Sequence, residues 1–162
     1  MLYHAGAGNV TFGSETIRGT VRGLGGRIAF FVTDAIRLGG MGFNTGFEYQ
    51  SEQNTTKSYV SLRFGGLTAD YSLFLKNVRI STGVLLGGGG INHLHIISEQ
   101  DLQKLVTYRK YGTFIIMPLL AAEVPVKENL SIALMKDVIL GTNIIDGKLY
   151  GPRLHIGILF SR

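Results

Sequence analysis

The 162-residue chain has no cysteine, no tryptophan and only three prolines. Without cysteine there is no disulfide framework, no thiolate nucleophile and no cysteine-ligated zinc. Charge is scarce too: 16 basic and 11 acidic side chains make up 17% of the residues, where globular domains average about 25%. No apolar run approaches the ~18 to 20 residues that a membrane-crossing helix needs, so a helical membrane protein is excluded. Helical periodicity is nearly absent. The opening Met1-Leu2-Tyr3-His4 shows no basic n-region, apolar h-region or cleavage site. Two compartments stay open: the cytoplasm, or the outer membrane for a mature form that has lost its signal peptide. The net charge of +5 is spread along the chain. Its densest spot, Arg109-Lys110, is too small a footprint for a nucleic-acid partner.

What the chain has in excess is glycine, 23 residues, about twice the usual ~7% share and without the three-residue period of collagen. With 45% apolar residues it can bury a core, and disorder is excluded. The length suits a single domain over 1–162.

Strand signals recur at regular spacing. Arg27 to Val32, a turn at Thr33-Asp34-Ala35, and Ile36 to Gln50 make one hairpin. Tyr71 to Leu75 with Val78 to Gly90, joined at Lys76-Asn77, make a second; Leu119 to Val126 with Leu130 to Gly141, joined at 127–129, make a third. Short polar turns of this kind fix register. Longer polar connections are expected at 13–20, 51–57, 98–110 and 142–148, the third holding a short helix capped by Ser98. Adding strands near His4–Phe12 and Tyr150–Phe160 gives eight. The expected fold is all-β: an eight-stranded antiparallel up-and-down β-barrel, with three short turns at one end and four longer loops at the other.

Seventeen of the 27 charges fall in the connections and termini, leaving ten for eight strands. A soluble barrel would show a charged ladder on its outer wall; here that wall must be covered by hydrocarbon or by another protein surface. In the third strand Met41, Phe43, Phe47 and Tyr49 share one face and small or polar residues the other, which assigns the large residues outward to lipid. In the fourth, Val60, Leu62 and Phe64 are followed beyond Gly65-Gly66 by Leu67, Ala69, Tyr71 and Leu73 in the opposite phase, as a β-bulge would produce. The sixth, Thr113 to Val126, is apolar on both faces and carries Pro118 and Pro125. Aromatics gather in two groups, Tyr49, Tyr59, Tyr108, Tyr111 and Tyr150 toward the loop end, and Phe30, Phe31, Tyr71, Phe74 and Phe160 toward the turn end. Membrane barrels carry such girdles, although strand propensity also concentrates aromatics.

Candidate sites are few. Gly87 to Gly90 and Gly23-Leu24-Gly25-Gly26 lack the Lys-Ser/Thr or third glycine of a phosphate loop and read as places where strands coil or pack closely. His93 and His95, two apart on one strand, could share a metal with a third ligand from His4, His155 or Glu99, but HxH alone fixes neither ligand count nor geometry. Arg27, Asp70, Arg79, Glu123, Lys136 and Asp137 lie toward the turn end, where burial inside a barrel would force them into an ion network. There is no nucleophile elbow, no HExxH and no triad spacing, so no enzyme and no cofactor is expected.

The hairpin order and the closing Leu154 to Phe160 segment resemble the small eight-stranded outer-membrane β-barrels of bacteria, which end on an amphipathic strand with a terminal aromatic. Here Ser161-Arg162 follow Phe160. The blocks Leu38-Gly39-Gly40-Met41-Gly42, Leu85 to Ile91 and Gly151-Pro152 are also similar to glycine-rich barrel-like proteins of unknown role. The resemblance implies outer-membrane residence and a role between adhesion and structural anchoring, with no catalytic residue. Two alternatives stand beside it. One is a self-assembling structural protein, a homo-oligomer that buries its apolar faces between subunits. The other is a lipocalin-like binder of one small ligand.

Overall fold

Short turns pin the sheet at one end. Residues 32–35 join the second and third strands, with the Ile36 amide donating to Thr33 Oγ1 at 3.0 Å. The connections at 76–77 and 128–129 are two residues each. Lys76 takes the left-handed conformation, φ 57°, which lets the first of these turns close on so few residues.

The computed structural model describes residues 1–12, 15–50, 57–100, 103–143 and 147–160, and the side chains within 1–10, 17–49, 58–94, 108–141 and 150–160. The strands are β1 (Leu2–Phe12), β2 (Glu15–Phe31), β3 (Ile36–Gln50), β4 (Lys57–Leu75), β5 (Val78–Gln100), β6 (Gln103–Lys127), β7 (Leu130–Asn143) and β8 (Gly147–Phe160). Each pairs antiparallel with the next, and β8 returns to β1, so the sheet is a closed barrel. A cross-strand row that leaves β3 at Ile36 passes Tyr71, Thr82, Leu120, Lys136, Leu154, Ala5 and Arg22 and re-enters β3 at Gly46, ten residues on. That stagger tilts the strands and makes every row climb away from the turn end.

Much of what was expected as loop is strand. β2 begins at Glu15, and β5 and β6 run to Gln100 and from Gln103, so the helix expected over 98–110 does not form among the described residues. β7 and β8 likewise take up 142–143 and 147–148. The remainder of the four expected loops, 13–14, 51–56, 101–102 and 144–146, lies outside the described residues. Polar composition suggested loop, but a strand standing clear of an apolar belt carries polar side chains equally well.

The face assignments also change. Met41, Phe43 and Phe47 are buried inside the barrel, and Gly40, Gly42 and Asn44 face out. In β4 every even position from Ser58 to Ser72 with a side chain to place points inward, and the odd positions point outward. The register across Met41↔Gly66 and Gly42↔Gly65 is unbroken, so Gly65-Gly66 is not a bulge. The backbone keeps its phase while the barrel exchanges its polarity along the axis. Toward the far end Val60, Leu62 and Phe64 fill the inside while Tyr59 and Arg63 stand outside; toward the turn end Thr68, Asp70 and Ser72 are inside while Leu67, Tyr71 and Leu73 are exposed.

The exposed apolar residues continue around the cylinder through Ile28, Leu38, Leu86, Ile116, Leu134 and Ile156. Along β7 the belt runs from Leu130 to Leu140; ten steps at ~3.3 Å, inclined by about 40°, make it roughly 25 Å tall. The sixth strand is apolar on both faces for two reasons: Ile115, Met117, Leu119 and Ala121 enter the core, while Phe114, Ile116, Leu120 and Val124 join the belt. Its prolines fall at interruptions of the β6–β7 ladder. The β6–β7 register passes from Ile116↔Leu140 to Leu119↔Asp137 across Pro118, and it shifts between Pro125 and Lys127. Phe30, Phe31, Tyr71, Phe74 and Phe160 are all exposed at the turn end; at the other end Tyr59, Tyr108 and Tyr150 face out, but Tyr49 and Tyr111 pack inward on the core.

Inward glycines let neighbouring strands close up. Gly66 and Gly87 are register partners, and a methyl on Gly66 would strike the Leu86 carbonyl and the Gly87 backbone. Outward Gly26 has nothing within 4 Å of that position. Gly66→Ala is therefore expected to cost about 2 kcal/mol or more, and Gly26→Ala to stay within about 0.5 kcal/mol. Urea titration of the refolded barrel in micelles, followed by circular dichroism, measures both.

Candidate functional site

Interior side chains on one climbing row carry most of the buried charge. The row runs Arg37, Asp70, Gly83, Leu119, Asp137, Arg153, and it divides into two clusters.

At the turn end Arg37 is the centre. Its Nε donates to Asp70 Oδ2 at 2.7 Å, Nη1 pairs with Glu123 Oε1 at 2.9 Å, and Nη2 donates to Ser81 Oγ at 2.7 Å. Arg27 also pairs with Asp70. Arg79 reaches Glu123 Oε2 at 3.3 Å while its guanidinium lies 4.8 Å from the Phe31 ring and 4.5 Å from Phe74. Ser72 and Ser81 hydroxyls lie 3.0 Å apart and extend the network across β4 and β5. Three guanidiniums face two carboxylates. The surplus cation is Arg79, the most accessible of the five at 22%, where the aromatic faces and the open end offset its charge.

Higher in the barrel Arg153 grips Asp137 with both oxygens, Nε to Oδ1 at 2.9 Å and Nη2 to Oδ2 at 2.8 Å. This forked geometry is the strongest form of the pair. His155 Nε2 lies 2.7 Å from Asp137 Oδ2. The guanidinium is held between Phe43 and Phe64, at 4.8 and 5.0 Å from their ring centres. His4, across the β1–β8 seam, lies 5.0 Å from His155 with the two rings tilted by 40°, and packs edge-on with Phe43 at 5.2 Å.

Of the six sequence-derived network residues, Arg27, Asp70, Arg79 and Glu123 meet in the first cluster. Asp137 lies in the second. Lys136 belongs to neither: with Asp137 pointing inward, the two-residue period turns Lys136 outward, between Leu120 and Leu154 on its row. From sequence, Arg37, Arg153 and Ser81 have no expected part in the network, and His4 and His155 are named only as candidate metal ligands. Parity carries the signal for Arg37, which shares a face with Met41 and Phe43, and assigning that face to lipid turns it outward.

Among the described residues this geometry fills the lumen at the height of the two clusters. Both oxygens of Asp137 are engaged, and Arg37 joins Asp70 to Glu123, so the carboxylates are bound to guanidiniums that do not give up protons. Among the described residues no group of three His, Cys, Asp or Glu could hold a metal. His93 Nε2 bonds the Tyr49 hydroxyl, and the side chain of His95 lies outside the described set. A cavity beside Arg153, lined by Val21, Phe47, Leu62 and Ile139, holds about 10 Å³. That is room for about one water, not for a small-molecule ligand.

Removing one partner leaves the others buried without compensation, at about 3–5 kcal/mol. Arg37→Met and Asp137→Asn are each expected to fall in that range in a urea titration of the micellar barrel. A cost below about 1 kcal/mol for both would show that the networks do not stabilise the interior.

No family model and no curated protein matches the chain. Solved structures do. Neisserial surface protein A superposes with a TM-score of 0.64 at 12% identity, over 99% of this chain and 95% of that one. Ail, the attachment invasion locus protein of Yersinia pestis, crystallised with the heparin analogue sucrose octasulfate, gives 0.56 at 10% identity, over 98% and 95%. At such identities the likeness speaks for architecture, and the chain has the fold of the small eight-stranded outer-membrane β-barrels.

Proposed function

We propose that the protein is an integral outer-membrane β-barrel without enzymatic activity, which anchors a surface for contact with other molecules. The carrying observation is the exposed apolar belt. It circles the turn-end half of the cylinder at the same height at which the interior is ionic. Its height of roughly 25 Å is that of the lipid-facing band of membrane barrels. Phe30, Phe74 and Phe160 mark its lower rim and Phe114 and Tyr150 its upper rim, all of them exposed. The ion networks make the barrel a filled anchor rather than a channel. Contact then falls to the far end, where Arg18, Arg109 and Lys110 are exposed. The sulfated ligand in the Ail complex makes a polyanion the first probe to try there.

The self-assembling alternative rests on the same belt, covered by neighbouring subunits in place of lipid, and solubility separates the two. The membrane reading expects a monomer that stays dispersed only in detergent or bilayer. A large particle in plain buffer favours the alternative, and a monodisperse monomer there refutes both.

Lys136 supplies a second test. A lysine at the middle of a lipid-facing belt costs about 2–4 kcal/mol, whereas on a wetted wall its removal changes little. Lys136→Leu is expected to raise the stability of the bilayer-embedded barrel by about 2 kcal/mol, read from urea titrations in phosphatidylcholine vesicles.

A further inference from the structure

The upper rim of the belt is uneven. On β2 and β4 two cations, Arg22 and Arg63, stand exposed where the apolar wall ends. They are two strands apart, roughly 10 Å. Arg63 shares a row with Leu24 and Asn44, two positions below Arg22 on β2, and since rows climb from β2 to β4 the two guanidiniums reach nearly the same height. Neither has an ion-pair partner among the described residues. The acidic side chain on this face among the described residues, Glu48, is two residues further up β3 from Gly46, the register partner of Arg22.

Directly below them the wall is indented. A groove of about 540 Å³, floored by Gly39, Gly40 and Ala69 and walled by Ile28, Leu38 and Leu67, opens on the belt's outer face. Between the groove and the row of Arg63 the register row is Gly26–Gly42–Gly65, which carries no side chain, while Leu24 and Asn44 stand between that row and Arg22. Packing within the chain does not require this: a Cβ on Gly40 would meet only ordinary contact, the Gly66 carbonyl at 3.7 Å.

We propose that this face of β2–β4 holds one phosphate-bearing anionic lipid, its headgroup on Arg22 and Arg63 and an acyl chain in the groove beneath. The inference rests on the membrane reading. Charge complementarity selects the occupant, because two unpaired guanidiniums at the boundary between lipid tails and water match a phosphate, and the apolar trench continues from that point toward the turn end. A second copy of the chain fits less well, since the belt presents no outward acidic side chain among the described residues.

The test uses the whole barrel inserted into vesicles of mixed phosphatidylglycerol and phosphatidylcholine, then released into mild detergent for native mass spectrometry. The expected result is one retained phosphatidylglycerol, preferred over phosphatidylcholine. The double variant R22Q/R63Q lowers that preference about tenfold, which corresponds to ~1.4 kcal/mol. G40L, which fills the groove with both cations intact, lowers retention of the lipid. Lys127→Gln, at the opposite rim, leaves retention unchanged. Equal retention of the two lipids, or loss of preference with Lys127→Gln but not with R22Q/R63Q, overturns the proposal while the barrel remains a membrane protein. Failure of the wild-type chain to enter the vesicles overturns the membrane reading and this site with it.

Discussion

A closed sheet of eight strands encloses a space just wide enough for side chains, and that narrowness governs this molecule. Any charge on an inward position must be neutralised within reach, because the space beside it holds at most about one water. Arg37, Asp70 and Glu123 answer that demand at the turn end, and Arg153, Asp137 and His155 higher up. The first cluster ties together strands that are not all neighbours, since Arg37 of β3 holds Asp70 of β4 and Glu123 of β6, whereas Arg153 and His155 of β8 meet Asp137 of the adjacent β7. The first network therefore fastens the barrel across its lumen as well as fills it. Pairs of this kind contribute little net stability over an apolar core of equal volume, but a lost partner is costly, so the closed form tolerates few partial versions of itself.

Placing the ions inside the turn-end half leaves its outer wall free to be apolar, and placing the apolar core inside the far half leaves that wall free to be polar. The exchange makes one barrel into two zones, a belt suited to lipid and a portion that stands clear of it. Val60, Leu62 and Phe64 give the upper zone an interior packed like that of a soluble protein, while Arg22, Arg63 and Lys110 face out. The described strands continue above the belt, β5 to Gln100 and β6 from Gln103, so the paired sheet itself extends into the upper zone.

Glycine serves both zones differently. Inside, Gly66 and Gly87 permit two strands to approach so closely that a methyl would meet backbone. Gly83 has a similar role beside Asp70, where an added Cβ would collide with the aspartate and displace it from the Arg27–Arg37 pair. Outside, Gly26, Gly40 and Gly42 thin the wall without any such requirement, which directs attention to what lies against it.

The strand count, the antiparallel order, the three tight turns and the greasy outer wall could all be read from the chain, because each depends on local patterns: short polar turns, two-residue alternation and scarcity of charge. That Arg27, Asp70, Arg79 and Glu123 would need one another followed from charge and segment alone. Which face of β3 looks inward did not. Met41, Phe43 and Phe47 are as apolar as a lipid-facing row, and alternation separates two faces without naming them. Nor could the residues around Gly65-Gly66 distinguish a bulge from a regular strand crossing between two environments. Closure and the ten-residue stagger decided those points, since they fix at what height each position stands and which partners from distant strands it meets; the same placement sent Lys136 out to the belt and brought His4 to His155. The sequence by itself determined that there are two faces. Only the tertiary structure decided that their polarity exchanges halfway up, because inside and outside are properties of the closed sheet and not of any one strand.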